Sequence, residues 1–166
     1  MEHIGNQATL LQALLNKEVE AFRTFLTTEK QLQEKLYTHR WKEMNPILKS
    51  LRTLAKEIVW LEEQRDRVYK ELRERLGLQK EETFYDVCLR LPLELREELT
   101  VRYRELKHLV IEIQNFSNGI DTYCTSSVSV LGRVLEELLP QGKHKVYSRR
   151  GTTVEAPKPL LVNQAL

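Results

Sequence analysis

The sequence predicts an all-α chain: an elongated antiparallel bundle of three long helices, with one short connecting helix and a flexible C-terminal tail. Three observations carry this. Apolar residues recur in alternating steps of four and three over three long stretches, the heptad signature of packed helices. The 166 residues contain only 6 Gly and 5 Pro, and aromatic residues make up 7%, too little punctuation for a sandwich or a doubly wound sheet. No run of 18 apolar residues occurs, which argues against a membrane-spanning helix.

The first helix is expected from Gln7 to about Thr38. Its seam runs through Leu11, Leu15, Glu18, Phe22, Phe25, Glu29, Leu32 and Leu36, with no Gly or Pro inside. The polar stretch from Tyr37 to Asn45 is read as a turn, because the residue before a proline avoids the α region and Pro46 suits a fresh helix start. A second seam, Ile47, Leu51, Leu54, Ile58, Leu61, Arg65, Val68, Leu72 and Leu76, stops at Gly77, a suitable left-handed residue after a helix end. The short connection makes the two helices antiparallel neighbours. Between Gly77 and Pro92, Phe84, Val87, Cys88 and Leu91 have the spacing of one short helix. The third long pattern begins after Pro92 and ends at Pro140. If continuous it is about 70 Å long at 1.5 Å per residue. Gly119, Gly132 and the Ser/Thr-rich run from Thr122 to Ser129 predict a kink or soft region in its second half.

Domain organisation follows from where the pattern fails. Residues 1–140 form the helical bundle and residues 141–166 a basic, disordered tail, rich in Gly and Pro and closing with Leu160, Leu161 and Val162. The tail holds five basic residues and one acidic, a balance of +4, and the rest 21 basic and 23 acidic, a balance of −2. A slightly acidic body is the reverse of a nucleic-acid-binding domain. The start of the chain lacks the basic and apolar regions of a secretory signal, which predicts a cytoplasmic protein. Cys88 and Cys124 are read as two reduced thiols rather than a metal or disulfide framework.

Motifs for catalysis are not found. His3, His39, His108 and His144 are scattered, and neither a nucleophile elbow nor a phosphate-cradling or dinucleotide loop is present. No enzyme activity, cofactor or metal is implied. Charged residues at seam positions are more informative, because a polar group there fixes register at a cost in stability. If the first turn centres near Arg40 to Lys42, Glu18 and Arg65 stand about equally far from it and face one another. An interhelical ion pair and two side chains that snorkel to solvent are both compatible with this pattern.

A length argument points to a binding site. Folded back from Pro92, the third helix runs out of partner near residue 121, and Thr122 to Leu139 overhang. Val128, Val130, Leu131, Val134, Leu135 and Leu138 then present more apolar surface than a monomer leaves wet. Three readings compete: capture of a partner helix, dimerisation through the same stripe, or refolding of the segment onto the bundle. Small residues at Cys124, Ser126, Ser127, Ser129 and Gly132 allow another helix to approach closely, or simply make the segment flexible.

The order of these features resembles the FlgN family of flagellar export chaperones, from the first helix to about Gly151. Leu61-Glu62, Arg65 and Leu76-Gly77 are similar to the family's Leu-Glu, Arg and Leu-Gly signature, and Asn115 and Asn118 to its spaced asparagines. Val146-Tyr147-Ser148-Arg149-Arg150-Gly151 resembles the Tyr and Gly segment after the long helix, with Ser148 where the family more often has Gly. The resemblance does not explain Thr152 to Leu166. It implies a cytoplasmic chaperone without ATPase activity that binds the terminal helical segments of the hook-filament junction (hook-associated) proteins and prevents their premature assembly. It further implies docking on the membrane-embedded export gate, with Tyr147 at that contact; Glu18, Arg65, Asn115 and Asn118 are read as structural residues. Val128, Leu131, Val134, Leu135 and Leu138 are the expected partner-binding residues. The alternative is a coiled-coil structural or adaptor protein that forms a homodimer through the same end of the third helix. Nucleic acid and membrane insertion are not implied.

Overall fold

A computed structural model describes residues 2–79, 81–138, 146–147 and 153–154. Among the described residues four helices follow in order: α1 (Glu2–Tyr37), α2 (Trp41–Arg75), α3 (Phe84–Leu89) and α4 (Leu93–Leu138). By compactness the chain divides into Met1–Asp121 and Thr122–Leu166. The first unit is an all-α bundle.

Its core takes in most of the predicted seam together with Val19 and Leu109, which lie off it, while Phe22 and Phe25 on it are only partly buried. Leu11, Leu15, Leu72, Leu99 and Val87 are fully buried, and Val19, Ile58, Leu61, Val68, Leu106 and Leu109 join them in one cluster. Side-chain hydrogen bonds give the helix directions. Gln7 of α1 donates to Glu71 of α2, and Arg65 of α2 donates to Glu18, so α1 and α2 run antiparallel. Gln12, Arg23 and Lys30 of α1 bond Glu98, Glu105 and Glu112 of α4 in rising order, so α1 and α4 run parallel.

The boundaries correct the expectation at two places. α1 begins at Glu2 rather than Gln7, and α2 begins at Trp41, which puts Pro46 inside the helix instead of at its start. Pro46 has no N–H to give the carbonyl of Lys42, yet only that one hydrogen bond is lost so near the helix end. The turn is therefore shorter than the polar Tyr37–Asn45 stretch. His39 takes φ +56°, and the N–H groups of His39 and Arg40 donate to the carbonyls of Leu36 and Lys35 at 3.2 and 2.9 Å. This is a Schellman motif with a non-glycine residue in the left-handed position. Glu43 then bridges back to Lys35 at 3.3 Å across the turn.

α2 ends in the same way, now with the residue that the conformation favours. Gly77 has φ +70°, and Gly77 and Leu78 donate to Glu74 and Arg73 at 3.0 and 3.1 Å. α3 is set by a capping box, in which the Thr83 backbone donates to Asp86 at 2.8 Å and Asp86 returns a donation to the Thr83 hydroxyl. Phe84 then stacks on Tyr103 of α4, ring centroids 4.1 Å apart, and on Tyr69 of α2 at 5.8 Å. Arg96 of α4 closes the corner by donating to the carbonyls of Leu89 and Leu91.

α4 is helical without a break from Leu93 to Leu138, through both Gly119 and Gly132. Each glycine costs about 1 kcal/mol against alanine, too little to interrupt the helix hydrogen bonding on either side. In the second unit, two short strands, β1 (Val146–Tyr147) and β2 (Thr153–Val154), pair antiparallel with Tyr147 opposite Thr153. The remainder of the expected tail, including Leu160 to Val162, lies outside the described residues.

Candidate partner-binding site

From Thr122 to Leu138 no residue of α4 is buried. Val128, Leu131, Leu135 and Leu138 follow one another at steps of three and four, which aligns them along one face of the helix, with Val134 at its edge. Val128 is 70% exposed and Leu138 71%, and Val130, Leu131, Val134 and Leu135 are exposed as well. Polar Arg133, Glu136 and Glu137 flank them. Leucine and valine in such a row offer area and shape but no directional bonds. Their chemistry is therefore the burial of a complementary apolar helix face, at about 25 cal/mol per Å² removed from water. Cys124 is an exposed free thiol on the same segment, and the position of Gly132 is open enough for a larger side chain.

Within the bundle the structure brings Glu18 and Arg65 together. Arg65 Nη1 donates to Glu18 Oε1 at 2.9 Å and Oε2 at 3.1 Å, with the Glu18 side chain wholly buried and that of Arg65 partly exposed. Burial pushes the Glu18 carboxyl up to about 7, and nearby Glu62 adds to this, against the lowering effect of Arg65. Glu29 is the second buried carboxylate. Its Oε1 accepts a hydrogen bond from Ser117 of α4 at 2.5 Å, while Oε2 is buried and has no partner among the described residues. Burial raises its pKa, only partly opposed by that hydrogen bond. Both are seam positions, and both lie well away in sequence from the exposed stripe.

Asn115 and Asn118 lie on exposed positions of α4. Tyr147 belongs to β1 by its backbone, and its side chain lies outside the described residues. Two features were not foreseen: the polar contacts between α1 and α4, and the Tyr69–Phe84–Tyr103 stack that fastens α3. The Thr83-x-x-Asp86 spacing was the available signal for the start of α3. Among the described residues no group of His, Cys, Asp or Glu could hold a metal ion, and no helix is long and apolar enough to cross a membrane.

Comparison with known proteins gives one family. The family model described as FlgN protein matches residues 1–155. No curated protein and no solved structure matches the chain.

Proposed function

The chain belongs to the FlgN family, a family of flagellar export chaperones, and from that premise we propose that it holds hook-filament junction (hook-associated) proteins in the cytoplasm by their terminal helical segments. The observation that carries the reading is the exposed apolar row Val128, Leu131, Leu135 and Leu138, with Val134 beside it. Amphipathic terminal segments that would otherwise assemble with one another bury their apolar faces against this row. Premature assembly is blocked because the faces are occupied. Affinity comes from helix packing, and release from competition for the same faces.

In this reading the chain divides its labour, with residues 1–140 binding the client and residues 141–166 serving delivery to the export gate through Tyr147. Replacing Tyr147 by Ala leaves client binding intact and lowers secretion; normal secretion by that variant removes the gate role.

Calorimetric titration with peptides from the C-terminal segments of junction proteins tests the central claim, with light scattering to fix the oligomeric state. Saturable binding with a negative heat-capacity change is expected for apolar burial. A tight dimer that ignores the peptides would mean that the row pairs with its own copy.

A further inference from the structure

The outward face of α2 carries a strip whose composition differs from the rest of the bundle. At 100° per residue, Trp41, Lys42, Lys49, Arg52, Lys56 and Trp60 all lie within about 55° of the direction opposite the mean of the core side chains Leu51, Ile58, Leu61, Val68 and Leu72. The four cations are exposed, and among the described residues no ion pair engages their charged ends. No acidic residue shares the strip between the two indoles. Trp41 is 58% exposed and Trp60 55%, with Val59 exposed beside the latter.

Two large amphipathic rings, each more than half exposed, thus stand at the ends of a basic face. The arrangement also limits what can occupy it. The indoles are 19 positions apart in the helix, about 28 Å at 1.5 Å per residue. Between them the strip offers only Val59 as a further apolar anchor, so a partner helix would find no seam at steps of three and four. A headgroup layer needs no seam. It attracts each Lys or Arg by its negative potential and takes indole rings at the boundary between polar and apolar zones. The opposite side of α2 is locked into the core, which keeps the contact peripheral.

We propose that this face of α2 docks on an anionic lipid bilayer, with Lys42, Lys49, Arg52 and Lys56 against the headgroups and Trp41 and Trp60 at the interface. The inference does not depend on the client, whose proposed row lies on α4.

The test uses the full chain, whose two tryptophans are these two residues, so intrinsic fluorescence reads the site directly. Titrating vesicles of phosphatidylglycerol and phosphatidylcholine shifts the emission to shorter wavelength, and brominated acyl chains quench it. Vesicles of phosphatidylcholine alone produce neither effect. The triple variant Lys49→Glu, Arg52→Glu, Lys56→Glu alters only exposed positions, keeps its helical circular dichroism, and partitions at least about tenfold more weakly. The proposal is overturned by unshifted emission on anionic vesicles, or by undiminished partition of the triple variant, which would assign binding to the basic C-terminal segment. An equal shift with an oligonucleotide or with polyglutamate in place of vesicles also overturns it, because the face would then recognise any polyanion. Peptide titration and vesicle titration read different helices, so either result stands without the other.

Discussion

Arg65 reaches across from α2 to both carboxylate oxygens of the wholly buried Glu18 on α1, at 2.9 and 3.1 Å. The pair pins the register of the α1–α2 hairpin, because a shift of one turn would leave a carboxylate in the core without its cation. Replacing Arg65 by Leu costs about 3 kcal/mol at pH 8. At pH 5 the loss shrinks, since Glu18, already held at about 7 by burial, protonates and no longer needs the cation. Urea denaturation at the two pH values measures this, and equal losses would show that Arg65 acts through packing alone.

Among the described residues no cation pairs with Glu29, and its chemistry is simpler. An unfolded glutamate titrates near about 4.3, whereas burial raises the folded value. Between the two, the folded chain keeps a proton that the unfolded chain has released. Stability from this group is therefore full below the unfolded pKa and is lost as the pH rises through the folded one. Glu29→Gln, a shape mimic of the neutral acid that still accepts from Ser117, stabilises the protein at pH 8 and changes it little near pH 4. A variant no more stable than the parent at pH 8 contradicts the assignment.

The exposed row on α4 is tested by changing Leu131 and Leu135 together to Asp. Two charges in an apolar contact cost several kcal/mol of binding, enough to abolish it in calorimetry, since each about 1.4 kcal/mol is a factor of ten. Both residues are exposed, so helical circular dichroism stays near the parent value. Unimpaired binding by that folded variant defeats the site.

His39 occupies a left-handed position, φ +56°, that only glycine takes without penalty. His39→Gly relieves about 1 kcal/mol of backbone strain, less a few tenths for the lost contact with the Trp41 ring. A raised urea midpoint with an unchanged slope is expected. A lowered midpoint would mean that the ring contact dominates the turn.

How much of this was legible in the sequence depends on the scale of the pattern. The seam from Leu11 to Leu36 and that from Leu51 to Leu72 gave helices, core and pairing, since burial is written at every third or fourth position. Distance from the turn gave the facing of Glu18 and Arg65. Pro46 misled, because its preference for a first turn is local and the surrounding helix outweighs a single missing donor. Ser117 as the partner of Glu29 was not readable, for that contact depends on how α4 is rotated against α1. The basic strip of α2 was hidden by averaging: a body balance of −2 says nothing of four cations gathered on one face. Tyr147 and the tail depend on residues whose sequence carries no helical period.

The parallel pairing of α1 with α4 also separates near contacts from distant ones along the chain. Glu18 and Arg65 are 47 residues apart in the chain, whereas Arg23 and Glu105, and Lys30 and Glu112, are 82 apart. The α1–α2 hairpin closes from a three-residue turn and rewards each step with nearby contacts. α4 instead reaches α1 only across that longer span, although it meets α3 close by, where Tyr103 stacks on Phe84. The hairpin is thus expected to form first, with α4 completing the core through Leu99, Leu106 and Leu109. During synthesis the N-terminal pair emerges before the segment that carries the exposed row, so the hairpin is available before the apolar face exists.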